Sequence, residues 1–298
     1  MRLWLFALIC GVALARPAAQ PKDLKAAELR QKLVASLEKT ATELEGVMGY
    51  AIVDLTSGDR IERLPSAVFA TASTIKLAIL YELFKQADEG KLSLDTVRPL
   101  DRQQVVGGSG VLAELTAPAM PLRDYATLMV VLSDNTATNV LVDVVGMTNV
   151  TARMASLGLK DTKLRRKMID QAASRRGDEN VSTPSEIARL LEMLYRGEGL
   201  KKDSQEALLA ILKKSKATPM RRGIPPGVAV ANKPGTLEGV QVDAGIVYLQ
   251  ERPYVLSVMT AYLTQNAAGD AAIASASRAA FEYFNRLAKS SEYGRAIR

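Results

Sequence analysis

The sequence predicts an α+β protein: one antiparallel sheet flanked by N- and C-terminal helices, plus an all-helical domain inserted between the two halves of the sheet. Three observations predict it. Strand-like runs stand near residues 48–63 and again after residue 228. The stretch between about 100 and 215 carries helical periodicity and no convincing strand. An amphipathic helical pattern precedes the first strands and another follows the last. The boundaries drawn from this are 1–19 as a signal peptide, 20–65 with 216–298 as the sheet domain, and 66–215 as the helical domain.

Arg2 followed by the apolar run Leu3 to Leu14 reads as an export signal, too short to span a bilayer. Ala13-Leu14-Ala15 offers a small-x-small cleavage site, with Ala18-Ala19 as a second. Residues 23–45 place Leu24, Ala27, Leu29, Leu33, Leu37 and Ala41 at helical spacing among charges. Residues 48–54 read as a strand, Thr56 to Asp59 as a turn and Arg60 to Arg63 as the returning strand. Residues 73–88 read as a helix apolar nearly all round, hence buried, and stopped near Gly90. Helices follow at 122–131, 136–144, 148–157, 185–196 and 203–213. Residues 161–183 form a long polar loop, a length that usually marks function. Strands return at 228–232, 243–250 and 253–262, and a helix closes the chain over 267–289.

The chain has 298 residues, 48% hydrophobic and 24% charged, ample for a large core. It contains no histidine, which excludes a Ser-His-Asp triad and an ordinary zinc hydrolase site. Its one cysteine, Cys10, lies in the export signal, so the mature protein has no thiol for a disulfide, a nucleophile or a metal. The formal net charge of +7 favours anionic partners. No dense basic run is interleaved with aromatics, so nucleic acid is not an expected partner.

Ser-x-x-Lys occurs twice. Ser36 and Lys39 lie on the exposed face of the first helix, a solvated pair without chemistry. Ser73-Thr74-Ile75-Lys76 opens the buried helix instead. Residues i and i+3 share a helix face, so Lys76 can approach the Ser73 hydroxyl, and burial lowers a lysine pKa enough for it to accept a proton. Ser133-Asp134-Asn135 lies between two helices and by itself suits a helix N-cap. Lys233-Pro234-Gly235-Thr236 by itself suits a hairpin turn.

Together, in this order, with 60 residues between Ser73 and Ser133 and 100 between Ser133 and Lys233, the three runs resemble the class A β-lactamase and penicillin-binding-protein superfamily. Gly90 to Leu94, Asn135-Thr136-Ala137-x-Asn139 and Arg222 to Pro225 are similar to it as well. The resemblance implies a β-lactamase/transpeptidase-like fold and roles residue by residue. Ser73 would form an acyl-enzyme, with Lys76 as base. Ser133 would relay a proton to the leaving nitrogen. Asn135, Lys233, Gly235 and Thr236 would bind substrate, and the backbone N–H groups of Ser73 and Thr236 would form the oxyanion hole.

Two departures stand out. The family's deacylating glutamate sits in the long loop. Here Leu164 to Gln171 reads Leu-Arg-Arg-Lys-Met-Ile-Asp-Gln, similar to an Arg-Lys-Met-x-Asp variant among related serine hydrolases. Counting back from Asn180 and Pro184 puts Lys167 at the glutamate's place; counting forward from Leu164 puts Met168 there. Asp170 is the substitute base, its plainer reading being a salt bridge with an arginine. Pro234 replaces the family's Thr or Ser and supplies neither hydroxyl nor N–H, and proline belongs on an edge strand. The expectation is an exported serine hydrolase, periplasmic or secreted. It acts as a monomer on a small β-lactam, slowly, or else on a peptidoglycan-like acyl substrate as a peptidase, transpeptidase or esterase. It uses no metal or other cofactor, binds no nucleic acid and is not inserted in a membrane after cleavage. A non-catalytic binding protein is the third alternative, and such a protein has no need of all five polar residues.

Overall fold

The computed structural model describes residues 21–297 apart from 117, 215 and 292. The signal-peptide reading and Cys10 fall outside these residues. The expected α+β architecture is present. Five strands form one antiparallel sheet in the spatial order Arg60–Arg63, Val47–Asp54, Tyr254–Ala261, Val240–Val247, Val230–Leu237.

The apolar strand runs follow from burial on both faces. Along Val47–Asp54 the side chains alternate. Met48, Tyr50 and Ile52 pack with Leu33, Leu37 and Phe284 of the terminal helices Pro21–Glu43 and Asn266–Ala288. Ala51 and Val53 face the helical block, in one core with Leu80, Leu141 and Leu190. Each large apolar side chain removed from water contributes about 1.5–3 kcal/mol.

The helical block is built on Lys76–Asp88, ten of whose residues are buried, which is why that helix reads as apolar all round. Around it stand Leu122–Val131, Asn135–Val145, Met147–Ser156 and Lys202–Lys213. The helix Pro184–Arg196 lies in the same core, beside the sheet's Val53 and Val255.

Local differences from expectation have physical causes. Residues 72–75 form a 3-10 turn, and the α-helix begins only at Lys76. The run Lys233 to Thr236 is not a hairpin turn; it lies inside the strand Val230–Leu237, and the chain reverses at Glu238 and Gly239. That strand is the sheet's edge, the place where a proline is tolerated. The middle of the chain also holds two-stranded ladders too short to show a period: Phe69–Ala70 with Val181–Ser182, and Val97–Pro99 with Ala119–Pro121.

Candidate active site

Ser73 stands on the turn between the sheet and the buried helix. The turn is tied down on both sides. Thr71 N donates to Asn180 O at 2.9 Å, and Thr74 Oγ1 donates to the Lys233 carbonyl at 3.2 Å. These bonds hold Ala72 at φ 46°, a left-handed conformation that costs a non-glycine residue about 1–3 kcal/mol. Ser133 has φ 54°. The strain sits directly at the two serines of the motifs.

The edge strand passes so close to Ser73 that only glycine fits at 235. A Cβ there would lie 2.6 Å from Thr71 O and 2.9 Å from the backbone nitrogens of Ser73 and Thr74.

Asp134 shapes the second motif. Its Oδ1 caps the helix Asn135–Val145 by accepting from Ala137 N at 2.8 Å. Its Oδ2 accepts from Val111 N at 2.7 Å and Leu112 N at 2.9 Å, pinning the neighbouring loop. The motif is thus an N-cap and a site at once: Asp134 caps, while Ser133 and Asn135 face the lysines.

Lys76 is fully buried. Its Nζ donates to Ser133 O at 2.7 Å, Ser133 Oγ at 3.1 Å and Asn135 Oδ1 at 3.1 Å. Ser73 Oγ is not among these acceptors, although the two residues adjoin. Lys233, 1% exposed, donates from Nζ to the same Ser133 Oγ at 3.0 Å and to Pro234 O at 2.8 Å. Asn135 completes the wall by donating from Nδ2 to Gly107 O at 3.1 Å.

Neither amine has a carboxylate partner within ion-pair distance among the described residues. Burial and then the repulsion of Lys233 hold Lys76 well below the usual lysine range, against a smaller pull from Asp134. Lys233 is pushed down to about 7, by burial first and by Lys216 second, with the buried Asp243 opposing. Both amines therefore give up a proton more readily than an ordinary lysine.

Ser73, Asn135 and Thr236 share a cleft of about 350 Å³ with the long loop's Met168, Asp170 and Glu179. Thr236 is exposed, and its hydroxyl donates to Gln241 Oε1 at 2.7 Å. Asp170 forms no salt bridge among the described residues; its Oδ1 caps a short helix, Gln171–Arg175, by accepting from Ala173 N at 2.9 Å. Met168 lines the cleft, whereas Lys167 lies outside it, 2.5 Å from Asp143 Oδ1. Of the two positions the counts reach, Met168 is the one that lines the cleft with Ser73. Its backbone is held on both sides by Asn139, which accepts from Met168 N at 2.8 Å and donates to Met168 O at 3.1 Å.

Sequence reading missed Glu179, which lines the cleft and accepts from Arg166 at 2.7 Å. Nothing in its spacing marks it; the loop folds back only because Asn180 Oδ1 accepts from the nitrogens of Arg165 and Arg166 at 2.7 and 3.1 Å. No group of three or more Asp and Glu side chains that could hold a metal occurs among the described residues. No helix among them is long and apolar enough to cross a membrane.

Comparison with known proteins shows the family. The family model of the beta-lactamase enzyme family matches residues 28–284. An imipenem-hydrolyzing beta-lactamase of Enterobacter cloacae is 26% identical over 260 residues, covering 84% of this chain and 89% of that protein. The crystal structure of a beta-lactamase from Sphaerobacter thermophilus is 30% identical with a TM-score of 0.79, covering 86% of this chain and 97% of that one. A point mutant of PBP-A, solved as an acyl-enzyme complex with penicillin G, is 26% identical with a TM-score of 0.79, covering 88% and 97%. With its fold, its three motifs and a match over most of its length, the chain belongs to the beta-lactamase enzyme family.

Proposed function

We propose that this protein is a serine β-lactamase-type hydrolase that takes the acyl group of a β-lactam onto Ser73. The observation that carries the reading is the Ser133 hydroxyl accepting from two buried amines, Lys76 at 3.1 Å and Lys233 at 3.0 Å. Accepting twice fills both lone pairs of the oxygen and leaves its own proton to be donated. That is the requirement for a group that protonates a departing nitrogen.

A neutral Lys76 has two N–H groups for three acceptors. It releases one contact, and its lone pair takes the Ser73 proton as Oγ attacks the carbonyl. The backbone N–H groups of Ser73 and Thr236 receive the oxyanion, each worth about 2.7–4 kcal/mol. As the ring C–N bond breaks, Ser133 gives its proton to the nitrogen and Lys76 replaces it. Asn135 holds the substrate amide, and Lys233 holds a substrate carboxylate, whose arrival favours its charged form.

Water must then release the acyl group. Asp170 is the cleft carboxylate we assign to activate it, and slow turnover follows from the absence of a glutamate at Met168. Met168 in that position equally supports a second reading: a penicillin-binding-protein-like peptidase, transpeptidase or esterase on a cell-wall-derived or other acyl substrate, for which β-lactams are trapping agents. The division into a sheet domain (20–65 with 216–298) and a helical domain (66–215), export through residues 1–19, a periplasmic or secreted location and a monomeric state belong to the same proposal.

The test is incubation of the mature protein with a chromogenic cephalosporin, followed by intact mass measurement. Repeated turnover supports the hydrolase. A stable adduct on Ser73 without turnover supports the second reading. Absence of both overturns acylation by β-lactams.

A further inference from the structure

Between Glu206 and Glu238 the chain carries six basic residues, Lys213, Lys214, Lys216, Arg221, Arg222 and Lys233, and no acidic one. The fold gathers them where the helix Lys202–Lys213 ends beside the edge strand. The last carbonyls of that helix take their donors from the same set. Lys216 Nζ donates to Leu212 O at 2.7 Å and to Lys214 O at 3.0 Å. Arg221 donates from Nη2 to Lys213 O at 3.3 Å and to Val230 O, and from Nε to Asn232 Oδ1 at 3.0 Å, next to Lys233 in the strand.

These cations are not neutralised from within. Among the described residues only Arg222 of the six reaches a carboxylate, Asp270 at 3.2 Å. Asp243 is fully buried, and its two oxygens are taken by Met220 N and Asn232 Nδ2, each at 2.9 Å. Lys213 and Lys214 are exposed, with Lys213 Nζ lying 3.8 Å from the centre of the Tyr248 ring. Crowding of like charge is felt along the row. Burial and then Arg221 push Lys216 down to about 8, and Lys216 in turn adds to burial in lowering Lys233, with Asp243 opposing both shifts. A row of one sign, held without counter-charge, draws anions from solution.

We propose that the row from Lys233 through Lys216 to Lys214 and Lys213 is a docking strip for an acidic peptide, the part of the substrate that departs with the nitrogen served by Ser133. Two assignments select this partner. Lys233, at the inner end, takes a substrate carboxylate, and further carboxylates continue it outward. Asn135 takes a substrate amide, so the chain that carries them is amide-linked. Attachment is by charge rather than by main-chain pairing, since Arg221 already occupies the Val230 carbonyl and Pro234 has no N–H to offer. The proposal rests on the reading of Ser73 as the acylated residue.

The first test is binding of fluorescently labelled hexaglutamate, followed by anisotropy at low and at physiological ionic strength. Lys213→Glu with Lys214→Glu is expected to weaken it about tenfold or more, and salt to weaken it as well. Lys32→Glu with Lys39→Glu makes the same change of net charge on the first helix, where the two side chains are 66% and 73% exposed, and is expected to leave binding within about twofold. Lys213→Gln with Lys214→Gln serves if the charge reversal unfolds the chain, with a smaller loss in the same direction. No binding, an equal loss in the first-helix variant, or binding of inorganic polyphosphate without binding of hexaglutamate overturns the strip as an acidic-peptide site. The second test compares thioesters of one acyl group with two leaving thiols, mercaptoacetyl-triglycine and mercaptoacetyl-triglutamate. Ser73 Oγ takes the acyl group, the C–S bond breaks and the thiol leaves with the proton. The glutamate thiol is expected to be released about tenfold faster, and the Lys213/Lys214 variants to bring the ratio towards one. Equal release in the unaltered protein overturns the departing-side placement. Hexaglutamate binding that depends on Lys213 and Lys214, with neither thioester acylating Ser73, supports the strip while the reading of Ser73 falls alone.

Discussion

The α-carbon of Gly235 faces the backbone nitrogen of Ser73 at a separation that leaves no room for a methyl group: a Cβ would come within 2.9 Å of that nitrogen. Gly235→Ala must therefore push the edge strand off the nucleophile turn. Acylation of Ser73 by a β-lactam is expected to fall at least about a hundredfold, with a stability loss of about 1–3 kcal/mol from overpacking. Stopped-flow acylation and denaturant unfolding on the same protein check both. Unchanged acylation contradicts the close approach.

If Lys233 supplies the charge for a substrate carboxylate, as proposed above, its pKa of about 7 sets the pH at which that charge disappears. The kcat/KM of a carboxylate-bearing substrate is expected to decline above about pH 7. Arginine keeps its charge throughout this range, so Lys233→Arg should move the alkaline limb upward. Stability runs the other way. Between about 7 and the ordinary lysine value of 10.5 the unfolded chain binds more protons than the folded one, so stability rises with pH across this window. Lys233→Met should flatten that slope in unfolding measurements at pH 7 and 9.

Met168 lines the cleft of Ser73 and brings no carboxylate to it. Met168→Glu places one there and is expected to speed loss of the acyl group about tenfold or more, at a cost in stability from burying a charge. Asp170→Asn tests the existing carboxylate. Asn caps a helix as well as Asp does, so the short helix at Gln171–Arg175 is kept and only the basicity changes. Slower decay of the acyl-enzyme by time-resolved mass measurement supports Asp170 as the base; an unchanged rate ends that role.

Asp134 is the site's hidden support. Its carboxylate satisfies Ala137 N, Val111 N and Leu112 N. Asp134→Ala removes a cap and leaves loop donors without a partner, a loss of about 3 kcal/mol. Thermal unfolding checks the magnitude. Because the helix start and the Val111 loop loosen together, acylation should fall as well.

What the sequence makes legible here is what short-range pattern encodes. Ser73, Lys76, Ser133, Asn135 and Lys233 stand in three short runs, and the fold brings Lys76, Ser133, Asn135 and Lys233 into one hydrogen-bonded group. The buried helix is visible because its apolar residues leave no polar face. Other features depend on distant parts of the chain. No local spacing tells that Asn180 folds the long loop back to bring Glu179 and Met168 to the cleft. The Lys233 run reads as a turn because Pro and Gly usually mark one; only the crowding against Thr71 and Ser73 shows why a glycine belongs inside a strand there. Asp170 lacks its expected arginine because its carboxylate caps the next helix.

Pro234 has a consequence outside catalysis. It lies on the outermost strand of the five, whose free side is the kind of surface on which a stray segment of another molecule can add itself by main-chain pairing. A residue with no N–H interrupts any such continuous ladder in the middle of the strand. The proline beside the nucleophile turn therefore also breaks the outer row of main-chain donors at the point where an added strand would need them.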